Sequence, residues 1–113
     1  MIDSFGFGWM VIKGRKYASD LLIHAEGRVE DGWRRACGHE LTVDDLSSLI
    51  QDLPEVIVAG TGMNGRVVPR EDLEERLARR GIAFHAHPNP GAVSLYLELL
   101  PSTRVCACFH LTC

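Results

Sequence analysis

The spacing of apolar residues divides the chain into two parts. In the first third, short apolar runs alternate with turn signals. This pattern predicts a strand over 5–12, a turn over 13–16, and two further strands over 21–24 and 28–34. The two glycines of the first strand indicate a bulge or a close backbone approach. We therefore expect an antiparallel β-meander at the N-terminus.

From residue 42 onward, the pattern alternates between helical and extended spacing. Apolar positions recur every three or four residues in segments that predict helices over 42–53, 69–80 and 90–100. Short apolar runs typical of buried strands occupy 55–60, 82–86 and 104–111. Such alternation predicts a mostly parallel sheet covered by helices. The expected fold is a single α/β domain, 1–113, with three layers, a mixed central sheet and the N-terminal meander.

The ends of these helices carry recognisable signals. Thr42 is a suitable N-cap and Pro54 a stop for the first helix, and Asn89 with Pro90 resembles a cap followed by a first helical residue. The apolar face expected of the first helix consists of Leu46, Leu49, Ile50 and Leu53.

The strand over 55–60 leads into a glycine-rich loop over 60–66. Its letters match the G-x-G-x-x-G pattern of dinucleotide-binding folds, but Arg66 to Pro69 intervene where a helix should begin. The loop N–H groups could instead bind a carboxylate or phosphate, oriented by Thr61 and Arg66, with His39 or His110 as proton carrier. Alternatively, the glycines only permit a tight crossover. The candidate ligand-binding residues are Gly60, Thr61, Gly62, Asn64, Gly65, Arg66 and His39.

Cysteine and histidine residues near the end of the chain offer a second candidate. Cys106, Cys108 and His110 alternate, so a strand places all three on one side. Together with Cys37 or His39 they could surround a metal ion. Their spacing differs from a metal knuckle, and buried thiols are common in cores. We expect neither a metal nor a cofactor, while a redox role stays open for Cys106, Cys108 and Cys113.

Charge and composition narrow the classes of function. The net charge of −3 and the pI of about 5.9 disfavour nucleic acid and anionic membranes as partners. No apolar run approaches the roughly 20 residues of a membrane span. The first residues resemble neither a signal peptide nor a transit peptide. We therefore expect a cytoplasmic protein with reduced thiols.

Short motifs spread over the whole chain suggest a family. They are Ile2-Asp3-Ser4, Ser19-Asp20, Gly38-His39-Glu40-Leu41, Val58-Ala59-Gly60-Thr61-Gly62, Ala92-Val93 with Tyr96, and His110-Leu111-Thr112-Cys113. With them the chain resembles the small α/β family that includes the adipogenesis-associated domain protein and assembly factor 3 of the mitochondrial NADH dehydrogenase alpha subcomplex. It departs at 22–27, where relatives tend to carry Phe-Pro, and at positions 106 and 108, where they carry small residues.

The resemblance implies a three-layer α/β fold and no established enzymatic activity or cofactor. The eukaryotic assembly factor acts in building respiratory complex I, and prokaryotic relatives are mostly of unknown function. Without a mitochondrial targeting extension, the chain looks like a prokaryotic member.

The sequence favours a non-catalytic accessory or assembly-type protein that binds an unidentified protein partner. No catalytic constellation stands out, and homo-oligomerisation stays open. Four apolar residues expected near the surface support a partner site: Trp9, Trp33, Leu95 and Leu99. The alternative is an anion-binding protein or enzyme that uses the 60–66 loop.

Overall fold

The computed structural model describes residues 1–113 and contains ten strands and three α-helices. The strands are β1 (Ile2–Gly6), β2 (Trp9–Ile12), β3 (Arg15–Tyr17), β4 (Leu21–Ile23), β5 (Val29–Asp31), β6 (Glu40–Leu41), β7 (Val56–Gly60), β8 (Val68–Pro69), β9 (Ala83–His87) and β10 (Val105–Phe109). The helices are α1 (Ser47–Ile50), preceded by a 3-10 turn over Asp44–Leu46, α2 (Leu73–Ala78) and α3 (Asn89–Leu99).

The strands form a mixed main sheet and a separate N-terminal sheet, so the predicted α/β class is confirmed. The main sheet has the order β5-β4-β10-β7-β9, in which β10, β7 and β9 are parallel and β4 and β5 are antiparallel. The predicted meander divides between the sheets, because only β1, β2 and β3 form the antiparallel N-terminal sheet. Strands β6 and β8 make a short parallel pair.

The main sheet separates two apolar clusters. Ile57 and Cys106 belong to the cluster beneath α1 and α2, whereas Val58 and Phe109 belong to the cluster shared with α3 and the N-terminal sheet. This alternation follows from the two-residue period of a strand, and it explains why β7 and β10 are apolar throughout. Truncation of a fully buried side chain such as Phe109 would cost about 3–5 kcal/mol.

The expected strand over 5–12 is instead a hairpin. Strand β1 ends at Gly6, and β2 begins at Trp9. Gly8 adopts φ +85°, a conformation that favours glycine and reverses the chain. The two glycines therefore mark a turn rather than a bulge, and Gly6 also permits a close approach, because the Trp9 indole lies against it.

The first predicted helix is shorter than expected, because α1 ends at Ile50. Leu46 and Leu49 are buried as predicted, but Leu53 is 79% exposed with φ +54°. Proline disfavours the helical conformation of the residue before it, so Leu53 leaves the apolar face. Thr42 and Asp45 exchange side-chain and backbone hydrogen bonds, as in a capping box.

The second predicted helix does not begin at Pro69. Residues 68 and 69 form β8, because Val68 N–H donates to His39 O and Arg70 N–H donates to Leu41 O. These bonds hold the segment extended, and α2 begins only at Leu73.

The four apolar residues expected near the surface are half-buried. Trp33 packs against the cluster beneath α1 and donates its indole N–H to Asp45 O, whereas Leu95 and Leu99 pack against the cluster under α3. The large apolar residues that are exposed are Met1, Phe7, Leu53 and Val68. No helix of this structure has the length and apolar character that crossing a bilayer demands.

Candidate functional site: the glycine loop and the Asp20 network

Hydrogen bonds within the chain close the 60–66 loop. Every N–H from residue 61 to 67 donates to an acceptor of the protein: Thr61 to His87 O, Gly62 to Asn89 Oδ1, Met63 to Thr112 O, Asn64 and Arg66 to Cys113 O, Gly65 to Gly62 O, and Val67 to Thr61 O. Two donors converge on Cys113 O, at 3.1 and 3.0 Å. The loop thus has the geometry of an oxygen-binding nest, and the chain itself supplies the oxygen.

Two glycines of the loop are required by close packing. Gly62 adopts φ +111°, and a Cβ there would collide with the main chain of Cys113. A Cβ on Gly60 would lie 2.5 Å from Asn89 Oδ1 and also collide with the Phe109 ring. These contacts fit the interpretation of a tight crossover.

Asn89 connects the loop to the end of β10. Its side chain is fully buried, accepts the Gly62 N–H at 3.1 Å and donates to His110 O at 2.7 Å. The prediction that Asn89 caps α3 was wrong, because no side chain caps this helix and Asn89 is already its first residue. The polar groups of Asn89 serve the loop instead.

Three donors surround the carboxylate of Asp20. His110 Nδ1 and Arg35 Nη1 lie 2.7 and 3.0 Å from Oδ2, and the Leu111 N–H donates to Oδ1 at 2.9 Å. We call Asp20, Arg35 and His110 the Asp20 network. Burial by itself raises the pKa of Asp20, but the hydrogen bonds from His110, Leu111 and Arg35 outweigh it and hold that pKa below its usual value.

The other nitrogen of His110 faces a hydroxyl. Nε2 lies 3.2 Å from Thr112 Oγ1, so hydroxyl, imidazole and carboxylate follow one another in the order used for acyl transfer. That chemistry also needs free N–H donors for an oxyanion. The neighbouring loop has none, because all its donors are engaged. The geometry therefore favours a structural role for the hydrogen-bonded series Thr112, His110 and Asp20.

An open cleft of about 570 Å³ lies beside the network. It is lined by His39, Glu40, Val68, Pro69, Arg70, Glu71 and Asp72. Arg70 forms ion pairs with Glu40 and Asp72 at 3.6 and 3.9 Å, and the excess of carboxylates disfavours an anionic ligand.

The structure separates the site residues predicted from the sequence. His39 lines the cleft, and its ring centroid lies 5.9 Å from that of His110. The residues of the 60–66 loop do not line the cleft. Binding of an anion by the loop N–H groups would require displacement of residues 112 and 113.

Sequence reasoning missed Asp20, Arg35 and Asn89 as parts of this site. Asp20 directly precedes β4, and His110 directly follows β10. The antiparallel register pairs Phe109 with Leu21 and so brings the two polar residues together. Their positions at strand ends were a usable signal, but the sequence does not reveal that β4 and β10 are neighbours.

The mixed five-stranded sheet, the N-terminal antiparallel sheet and the closed glycine crossover define a small α/β fold. The chain belongs to the family described as a protein of unknown function (DUF498/DUF598), which matches residues 2–110. The resemblance noted in the sequence is thus confirmed as far as membership of this family of unknown function.

Solved structures share the fold over nearly the whole chain. A conserved hypothetical protein of Pyrococcus horikoshii is 24% identical over 100% of this chain and 99% of its own, with a TM-score of 0.88. MT938 is 27% identical over 100% of this chain and 98% of its own, with a TM-score of 0.82. A Mth938-like domain of Bordetella pertussis is 16% identical over 98% of this chain and 85% of its own, with a TM-score of 0.65. Comparison with curated proteins gives no match.

Proposed function

We propose that the protein is a non-catalytic accessory protein of the cytoplasm that binds a protein partner through its N-terminal face. We define this face as the outer side of the β1-β2-β3 sheet together with the turn between β1 and β2. It consists of Phe7, Trp9, Val11 and Lys16. The observation that carries the proposal is the exposure of Phe7. Its side chain is 59% exposed at the turn that precedes the half-buried Trp9. Exposed aromatic residues of this kind are enriched at protein interfaces.

The alternation of β2 builds the face. Met10 and Ile12 point into the core, so Trp9 and Val11 point outward. Gly6 pairs with Trp9 across the hairpin, and a Cβ there would lie 2.7 Å from the indole nitrogen. The absence of that side chain lets the indole pack closely against β1, where it offers an aromatic surface of the type that dominates binding energy.

The charges around this face differ from those of the whole chain. Lys13, Arg15 and Lys16 stand against a single carboxylate, Asp3, in residues 1–17, although the chain carries a net charge of −3. The Lys16 ammonium lies 5.4 Å from the Trp9 ring centroid, within cation–π range. A complementary partner has an apolar centre and an acidic rim.

The remaining features agree with binding rather than catalysis. The loop donors are engaged within the chain, and the cleft is acidic. The resemblance to the family that includes a respiratory assembly factor adds an expectation of an assembly role, and a second copy of the chain is one candidate partner.

Affinity capture from a native lysate of the source cells tests the proposal. The tagged protein is compared with a Phe7→Ser/Trp9→Ser variant and with Leu53→Ser, which removes another exposed apolar side chain elsewhere. We expect one reproducible partner that is retained by Leu53→Ser and lost by the double variant, with circular dichroism confirming that both variants fold. Absence of a reproducible partner, or equal capture by all three proteins, would refute the proposal.

The anion-binding alternative has its own measurement. Phosphate and acetate are titrated into the protein while the amide resonances of Met63, Asn64 and Arg66 are followed. Saturable shifts at these amides would support the alternative. Because their N–H groups already donate to Thr112 and Cys113, we expect no saturable shift.

A further inference from the structure

A second polar cluster lies at the end of β4, away from the Asp20 network. His24 is 2% exposed, and its two ring nitrogens both face carboxylates. Nδ1 lies 2.7 Å from Asp52 Oδ2, and Nε2 lies 2.9 Å from Glu30 Oε1. Carboxylate oxygens only accept, and a neutral imidazole has a single N–H. A second proton or a cation is therefore needed between one nitrogen and its carboxylate.

We propose that His24, Asp52 and Glu26 bind a divalent transition-metal ion such as Zn²⁺, with Cys106 as the fourth ligand. One ligand atom from each of the first three residues lies within 4.8 Å of the others. The Cys106 thiol lies 3.6 Å from Asp52 Oδ2, the same oxygen that faces His24. These four side chains supply the nitrogen, oxygen and sulfur donors that suit a tetrahedral zinc site.

The spacing of His24, Asp52 and Glu26 requires only small movements, whereas the Cys106 thiol lies outside this 4.8 Å group and has to move toward it. Ligands bound to zinc at about 2.0–2.3 Å in tetrahedral geometry lie roughly 3.3–3.8 Å from one another. The Asp52–Cys106 distance already has this value, and His24 and Asp52 need to separate by less than about 1 Å. Glu26 is exposed, and its only ion pair is a 3.4 Å contact with Arg28, so its carboxylate is free to turn toward the ion.

The surroundings of the ligands also fit a metal site. A histidine that binds a metal usually donates its other N–H to a carboxylate, which fixes the ring and leaves a lone pair toward the ion. Glu30 occupies that position on Nε2, and the Ala25 N–H holds Asp52 Oδ2 at 3.0 Å. The thiol of Cys106 is fully buried, which keeps this ligand away from water.

The competing explanation is a proton on His24 that bridges two carboxylates without any metal. Titration with Co²⁺, which replaces Zn²⁺ and reports a thiolate ligand by its charge-transfer absorption, separates the two. The background is His85→Ala/His87→Ala, because these exposed histidines alternate on β9 and could bind ions at the surface.

We expect one Co²⁺ per chain with a thiolate band, displaced by Zn²⁺ and unaffected by Mg²⁺. Cys106→Ala should abolish the band, whereas Cys108→Ala, which removes an equally buried thiol two residues along the same strand, should retain it. Glu30→Gln should weaken binding about 10–100-fold. Glu26→Gln, at an exposed position that the fold does not need, should weaken it at least about tenfold.

Two outcomes would overturn the proposal. The first is no stoichiometric binding of Co²⁺ or Zn²⁺ by the folded protein in calorimetry. The second is binding that keeps its affinity in Glu26→Gln and its spectrum in Cys106→Ala, which would place the ion elsewhere.

Discussion

Replacement of Asp20 by asparagine tests the Asp20 network most directly. The two oxygens of Asp20 accept hydrogen bonds from His110, Arg35 and Leu111. Asparagine keeps the shape of the side chain but offers one oxygen and one NH₂ group. Whichever way the amide turns, its NH₂ group faces at least one of these donors.

The expected destabilisation follows from the burial of Arg35. Its side chain is only 6% exposed, and Asp20 is its sole ion-pair partner. A hydrogen bond to a charged group contributes about 1.5–3 kcal/mol, and removal of one member of a buried pair costs about 3–5 kcal/mol. We therefore expect Asp20→Asn to lower the free energy of unfolding by about 3–5 kcal/mol near pH 7.

The measurement is urea unfolding followed by circular dichroism. The control is Asp3→Asn, because Asp3 is exposed and accepts only the Gly14 N–H, and it should cost less than about 1 kcal/mol. A loss below about 1 kcal/mol for Asp20→Asn would contradict the reasoning, since it would mean that the carboxylate adds little to the packing around it.

The same variant has a defined pH dependence. The pKa of Asp20 is lower in the folded protein than its ordinary value of 3.8, so the ionised group stabilises the fold fully above that value. The stabilisation is lost as the pH falls through the lowered pKa. The difference between wild type and Asp20→Asn should stay constant from about pH 5 to pH 8 and shrink below about pH 4. A difference that grows on acidification would refute this assignment.

Three further predictions concern the loop, the first helix and the thiols. Gly62→Ala should destabilise the protein in thermal unfolding by at least about 2 kcal/mol more than Gly81→Ala. Both glycines have positive φ, but only Gly62 has no space for a Cβ. Equal losses of stability in the two variants would exclude a collision between the Cβ added at Gly62 and the main chain of Cys113. Leu53→Asn should stabilise the protein by about 1 kcal/mol in the same assay, since asparagine tolerates positive φ better, and a decrease in melting temperature would contradict this. In alkylation followed by mass spectrometry, the exposed Cys37 should react in the folded protein. Burial raises the pKa values of Cys106 and Cys108 to about 12 and should protect both thiols until the protein unfolds. Modification of Cys106 or Cys108 before unfolding would instead support the redox role.

The sequence predicted those parts of the fold that depend on local pattern. Strands β7, β9 and β10 and helix α3 lie close to their predicted positions, because their apolar runs and flanking turn residues act over short distances. The helix expected at Pro69 was wrong because its start depended on a remote partner. The N–H groups of Val68 and Arg70 donate to the residues on either side of Glu40 in β6, and these bonds override the local signal.

The candidate site shows the same limit. The loop was visible as a run of glycines, but three of its N–H groups find their acceptors at residues 112 and 113. Asp20 and His110 are separated by 90 positions, and only the β4–β10 register brings them together. Local spacing carries no information on such pairings, so the ligand-like appearance of the loop could not be distinguished from an internal crossover.

The closure of the 60–66 loop by residues 112 and 113 has a consequence for the order of folding. The loop is synthesised well before residues 112 and 113, which supply the last of its acceptors. During synthesis its donors must remain bonded to water, and β7 lacks its neighbour β10. We therefore expect the crossover to become ordered in a late step, after β10 has paired with β4 and β7. Pulsed hydrogen exchange during refolding should show the amides of Met63, Asn64 and Arg66 gaining protection after those of β4 and β7.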